Sequence, residues 1–205
     1  MKQQTRPVLV IALAIAAFHA TAFAEVSPET MGNLNQAYQN ESNAVRRYEA
    51  FAKMADAEKL PQIAKLFRAT AASETIHRDI QKKAILKIGE KLEAFEFDEI
   101  PSTTSTAENL KAAIRDETGE RDSLYPGFLA KARADSAKAA VRAFNYAIAA
   151  EKLHAEYFQL ALEQIGNNPA ITYYLCKDCG LLLDKLPDKK CPVCEEGLKA
   201  FKTIN

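Results

Sequence analysis

ASETIH at residues 72–77 and AAEKLH at residues 149–154 share one pattern, a glutamate followed three residues later by a histidine. Residues three apart on a helix lie about 60° apart around its axis, so Glu74 with His77, and Glu151 with His154, each turn two metal-ligating groups to one side. Outward from the first pair the sequence runs Ile63, Phe67, Thr70, Glu74, His77, Gln81, Ala84, Ile88 at spacings of three and four. Around the second it runs Val141, Phe144, Ile148, Glu151, His154, Phe158, Leu162, Ile165. These are the stripes that helices turn toward a bundle core. Two more stripes are Leu34, Tyr38, Glu41, Val45, Tyr48, Ala52, Ala55 and Leu110, Ala113, Glu117, Glu120, Leu124, Phe128. All four are interrupted by acid at mid-height.

Isolated ionised carboxylates in a bundle core each cost several kcal/mol or become protonated, so metal cations are the economical reason to gather them there. One Glu from each of two helices, with ExxH from the other two, is the pattern of ferritin-like carboxylate proteins. The interval from Glu41 to Glu74 is 33 residues and that from Glu117 to Glu151 is 34, each joining a lone-Glu helix to an ExxH helix. Two similar hairpins therefore frame one pseudo-symmetric site. A single ExxH in a Glu-rich chain is common by chance; two on repeat-spaced apolar stripes are not. Other acids, such as Glu49, Glu58, Glu93, Glu156 and Glu163, read as solvated or ion-paired surface.

Punctuation marks off the helices. Ser27-Pro28 opens a first helix running to about Glu58, and Pro61 opens a second that Gly89 closes. A linker from Glu90 to Thr104 precedes Ser105 and Glu108, which read as a capping box for the third helix. Pro126-Gly127 predicts a kink or early break in that helix, Asp135 is a candidate cap for the fourth, and Gly166-Asn167-Asn168-Pro169 stops it.

After Pro169 all four cysteines fall within 19 positions, as Cys176-Lys177-Asp178-Cys179 and Cys191-Pro192-Val193-Cys194. A segment of this size cannot be stable on an apolar core alone. Paired CxxC knuckles suit one tetrahedral S₄ site for iron or zinc; two disulfides are the other reading, favoured by an oxidising compartment. Such a compartment is expected, because Lys2 and Arg6, an apolar run from Val8 to Phe18 and Ala22-Phe23-Ala24 form a signal peptide over residues 1–24. That run is too short to span a bilayer, so no stable membrane insertion is expected after cleavage. Cleavage leaves 25 basic against 27 acidic residues, a formal charge of −2, and only His77 and His154 as histidines. No bulk positive field remains to hold nucleic acid.

The segments NESNAVRRYEAFA (40–52), ASETIH (72–77), IRDETGERDSLYPGF (114–128), AAEKLH (149–154), YLCKDCG (174–180) and KKCPVC (189–194) together resemble the rubrerythrin family in order and spacing. The resemblance covers essentially the whole mature chain. It implies an all-α, ferritin-like four-helix bundle at residues 25–168 and a rubredoxin-like domain at 169–205. It further implies that Glu41, Glu74, Glu117, Glu120, Glu151 and His154 ligate two irons in the oxidised site, with His77 replacing Glu120 on reduction. Charge favours that exchange: two ferric ions supply +6 and two ferrous ions only +4, so a neutral imidazole replaces an anion. By the same resemblance Tyr48 and Tyr125 hydrogen-bond the ligating carboxylates, and Cys176, Cys179, Cys191 and Cys194 hold one iron, with zinc as the rival. Two departures stand out. The family is mostly cytoplasmic and often credited with electrons from NADH, whereas this chain carries an export signal; and Tyr173 and Tyr174 precede the first knuckle, with no Trp anywhere.

The expected function is that of a periplasmic peroxidase acting on hydrogen peroxide in oxidative-stress defence, fed by an unidentified electron-donor protein through the four-cysteine site. By resemblance it is a homodimer in which the four-cysteine site of one chain serves the carboxylate site of the other. The competing readings are an iron-handling ferroxidase of the ferritin-like class and a structural protein with zinc in the four-cysteine site.

Overall fold

The structure, a computed structural model, describes residues 26–89, 91–100 and 105–204. The expected signal peptide, residues 1–24, lies outside them, as do Pro101 and its Ser/Thr neighbours in the linker. Helix α1 spans Pro28–Ala57, α2 Pro61–Lys87, α3 Thr106–Gly119, α4 Tyr125–Ala134 and α5 Lys138–Glu163. Among the described residues, no helix is long and apolar enough to cross a membrane.

Ser27 caps α1 as its spelling requires: its Oγ accepts from the Thr30 amide at 3.3 Å, and Pro28 occupies the first turn. α1 and α2 form an antiparallel hairpin. The extended segment 91–100 is then strapped across α1, where Asn35 and Asn43 accept from the amides of Glu93 and Asp98 at 3.3 and 3.1 Å. Arg46 covers the ring of Phe97 at 4.4 Å.

Two local expectations are corrected and a third is refined. Ser105 Oγ accepts from the Glu108 amide at 3.2 Å, but the Glu108 carboxylate pairs with Lys111 at 2.8 Å, so only half of a capping box exists. Asp135 does not cap α5, whose N-cap is Ala137 without a side-chain bond. Its carboxylate instead accepts from the hydroxyls of Ser27 and Thr30 and from Lys131, because the α4–α5 turn lies against the start of α1. There it meets a helix N-terminus, where an anion is favoured. Finally, the interruption expected at Pro126-Gly127 is present but takes the form of a wider turn just before the proline. A five-residue π-helical segment, Glu120–Leu124, joins α3 to α4, and the Tyr125 amide reaches back to the Glu120 carbonyl. Widening this turn removes the clash that proline otherwise makes with the carbonyl four residues earlier.

The interior comprises two apolar clusters with a polar layer between them. One gathers Tyr48, Phe51, Phe67 and Phe158, all essentially fully buried, with ring centroids 5.2–6.2 Å apart. The other gathers Leu34, Tyr125, Phe128 and Phe144. Each buried Phe contributes on the order of 1.5–3 kcal/mol, so these clusters offset the cost of the acids they enclose.

Residues 173–204 add an antiparallel sheet of order β2-β1-β3, with β1 Tyr173–Cys176, β2 Leu182–Leu183 and β3 Phe201–Ile204. Its Tyr173, Leu175 and Leu182 join the Phe67 cluster of the same chain, and Gln62 Nε2 donates to the Ile171 carbonyl at 2.9 Å. The small domain is thus docked on the bundle of this chain.

Candidate metal centres

Mid-height on the four stripes, ligand atoms converge in two groups, each lying within 4.8 Å: Glu41, Glu74, His77 and Glu151, and Glu74, Glu117, Glu151 and His154. Glu74 and Glu151 belong to both, as residues that bridge two metals must. All six side chains are buried. Both histidines turn Nδ1 inward. His77 Nδ1 is 2.7 Å from Glu74, while His154 Nδ1 is 2.9 Å from Glu151 and 3.0 Å from Glu74.

Glu120, the seventh residue anticipated from the sequence, stands outside both groups. It is half-buried on the π-helical segment, and desolvation, with the charges of Glu117 and Glu74, raises its pKa well above the carboxylate range.

Burial and the neighbouring charges of Glu74 and Glu120 also hold the Glu41 pKa high; burial with Glu74 and Glu117 does so for Glu151. Glu74 behaves oppositely. Burial would raise it, but His154 and His77 hold it down to about 2. Burial works against the His154 cation, yet Glu74 and Glu117 lift that pKa well above the usual histidine value. The protein alone therefore balances this layer with shared protons. Glu41 Oε2 and Glu151 Oε1 are buried without a protein hydrogen-bond partner. Carboxylate oxygens left so, beside two imidazoles, fit a pair of divalent or trivalent cations that would displace those protons.

The carboxylates are oriented from outside. Tyr48 OH donates to Glu117 and Tyr125 OH to Glu41, one tyrosine from each apolar cluster. Gln81 Nε2 donates to Glu41 at 3.1 Å. Sequence reasoning placed Gln81 on the stripe without giving it a role; the signal was an amide one turn beyond His77 on a core-facing position.

Cys176, Cys179, Cys191 and Cys194 form the third group, again within 4.8 Å. Sγ–Sγ separations of 3.6 Å for Cys176–Cys194 and Cys179–Cys191 exclude the two-disulfide reading. A tetrahedron with metal–sulfur bonds of about 2.3 Å has edges of about 3.8 Å, so the thiols fit one S₄ metal site.

These two centres meet. Gly180, following Cys179 with φ +82°, presses its backbone against the His77 ring, and Ser73 Oγ donates to the Gly180 carbonyl at 2.5 Å. A family model for rubrerythrin matches residues 32–162. The chain belongs to the rubrerythrin family. Nigerythrin of Nitratidesulfovibrio vulgaris is 34% identical over 167 residues, covering 80% of this chain and 81% of that protein. Rubrerythrin-2 of Clostridium acetobutylicum is 34% identical over 172 residues, covering 82% and 92%. The solved structure of fully reduced, all-ferrous nigerythrin matches with a TM-score of 0.76 at 31% identity, over 96% of this chain and 100% of that one. Bacterioferritin of Mycobacterium tuberculosis, at 19% identity and a TM-score of 0.63, shares the fold alone. In this rubrerythrin a ferritin-like carboxylate/histidine site and a four-cysteine site occur on one chain.

Proposed function

We propose that this rubrerythrin is a non-haem di-iron peroxidase, exported to the periplasm, that reduces hydrogen peroxide to water with electrons delivered through an iron–tetrathiolate site. The observation that supports this reading best is the contact of the Cys179–Gly180 knuckle with His77, because iron storage has no use for a second redox centre against the first.

Bound iron would supply one electron per metal, and the balance is H₂O₂ plus two electrons and two protons giving two waters. The rest falls to the side chains. Glu41, Glu74, Glu117, Glu151 and His154 would hold the metals in both states, with Glu120 completing the oxidised set and His77 taking its place on reduction. Tyr48 and Tyr125 fix the outer carboxylates, and burial holds both phenols well above their usual pKa, so each stays protonated as a donor. The apolar clusters keep bulk water from the layer. His77 presents Nδ1 to the carboxylates and its far edge to Gly180, so a single imidazole connects the two centres.

The test is anaerobic reduction of the iron-loaded protein, addition of one equivalent of peroxide per carboxylate site, and observation of the iron–thiolate absorption. Return of that colour far faster with peroxide than with oxygen is expected. Colour that stays bleached with peroxide, or its absence from the purified protein, would move the function to iron handling or to a zinc-stabilised structural role.

A further inference from the structure

The four-cysteine domain meets the bundle at a second place, by residues other than those that touch His77. Cys176, Cys179 and Cys191 are buried, whereas Cys194 is only partly so. Beside it, Val193 forms one wall of a groove of about 610 Å³ whose other walls come from the end of α4 and the start of α5. Arg133, Lys138 and Arg142 line this groove, together with Asn145 and Tyr146, and among the described residues no carboxylate does.

Helical spacing organises it. Lys138, Arg142 and Tyr146 are four apart, so they stand one above another on a single face of α5. That ladder leads from the cations to Tyr146, which packs against the cluster of Cys176, Cys179 and Cys191. Arg133, Lys138 and Arg142 form no ion pair among the described residues. Asp135, the acid nearest them in sequence, is already engaged by Ser27, Thr30 and Lys131. In a chain with no net positive charge, this is a local field placed beside the solvent-facing edge of the thiolate site.

We propose that this groove is the docking face for a small acidic one-electron carrier protein, which delivers electrons to the four-cysteine site at its Val193–Cys194 edge. The proposal rests on reading that site as an electron relay. Electrons then enter at one edge and leave at the other, where Gly180 meets His77. A protein occupant fits better than a small anion because the cations are strung along a helix face, about 6 Å apart, instead of converging on one point. Each encounter oxidises the carrier by one electron and reduces a ferric tetrathiolate site to ferrous; two encounters supply the two electrons that one peroxide consumes.

The experiment omits peroxide, so that failure of docking and failure of the peroxidase reading are separate results. Iron-loaded full-length protein is mixed in stopped flow with a reduced, strongly acidic [2Fe–2S] ferredoxin, or with the methyl viologen radical cation, and bleaching of the iron–thiolate band is followed. The triple variant Arg133→Glu, Lys138→Glu, Arg142→Glu is expected to be reduced by ferredoxin at least about tenfold more slowly, and by the viologen cation no more slowly, than the wild type. Added salt should slow the wild-type ferredoxin reaction and, by screening the repulsion from the introduced glutamates, leave the variant's unslowed or faster. The milder pair Lys138→Gln, Arg142→Gln should give a smaller fall in the same direction. Surface-plasmon resonance with zinc-loaded protein and oxidised ferredoxin should show the same loss of binding without electron transfer. An unchanged ferredoxin rate in the triple variant, an equal fall with viologen, or competition by inorganic phosphate at fixed ionic strength would each overturn the docking assignment.

Discussion

Gly180→Ala would put a methyl group where His77 already stands. An ideal Cβ at this position lies 2.6 Å from His77 Cδ2, closer still to Nε2, and 3.3 Å from the Ser73 carbonyl oxygen. Carbon atoms settle at about 3.5–4.0 Å, so the knuckle must withdraw by roughly 1 Å. Ser73 Oγ then loses the Gly180 carbonyl, a bond worth about 0.5–1.5 kcal/mol. Alanine at φ +82° adds a left-handed penalty of about 1–2 kcal/mol within the knuckle itself, so the knuckle and its seat on the bundle together lose roughly 2–3 kcal/mol. Gly197→Ala is the control, since that glycine has φ −69° and open space around it. Urea titration and limited proteolysis of the 164–172 connection read the effect. Gly180→Ala should unfold at lower urea and be cut faster there than the wild type, with Gly197→Ala unchanged. Equal midpoints and equal cleavage for the two variants would refute the claim that the knuckle is seated on His77.

Glu120→Ala should keep two metals per chain by elemental analysis, because Glu120 stands outside both ligand groups, yet react with peroxide on the order of tenfold more slowly; wild-type turnover would remove the ligand-exchange mechanism. Gln81→Leu takes a donor from Glu41 and should weaken metal binding in the Glu41–His77 half by about 10–100-fold, read by competition with a chelating dye. For Asp135, the Ser27 and Thr30 hydroxyls and Lys131 hold the folded-state pKa below the ordinary value, so its stabilisation is present above that value and is lost as pH falls through the folded one. Asp135→Asn should therefore melt below the wild type at neutral pH, with the gap closing only in strong acid; a gap independent of pH would contradict this. Removing the thiolate-bound metal with a chelator under reducing conditions should expose residues 169–205 to protease while the bundle keeps its helical circular dichroism.

What could be read beforehand was whatever the chain repeats locally. Two ExxH pairs on apolar stripes located the carboxylate layer, and paired CxxC knuckles located the thiolate site, because each rests on spacing within one element. Proline signals were read correctly at Pro28 and Pro61, where position within the first turn settles the outcome. At Pro126 an interruption was legible but its form was not, since a wider turn relieves the clash as well as a break does, and nothing local distinguishes them. Asp135 and Glu108 have good capping residue types, but their partners were decided by Ser27, Thr30 and Lys111. Gly180 was invisible for a stronger reason: its importance comes from a histidine 103 positions away that only the folded chain brings to it.

The wide turn at Glu120–Leu124 has a consequence for how the third helix can be altered. An α-helix advances about 100° per residue, and a π turn accommodates one residue more than its neighbours, so the helix changes phase there. Glu117 before the turn and Tyr125 after it both face the carboxylate layer because of that slip. Deleting a single residue from this segment would therefore act as a rotation more than as a shortening. Either the upstream half would turn Glu117 out of the layer, or the downstream half would turn Tyr125 away from Glu41. Length in this helix is counted in phase, and the surplus residue sets the two halves in register.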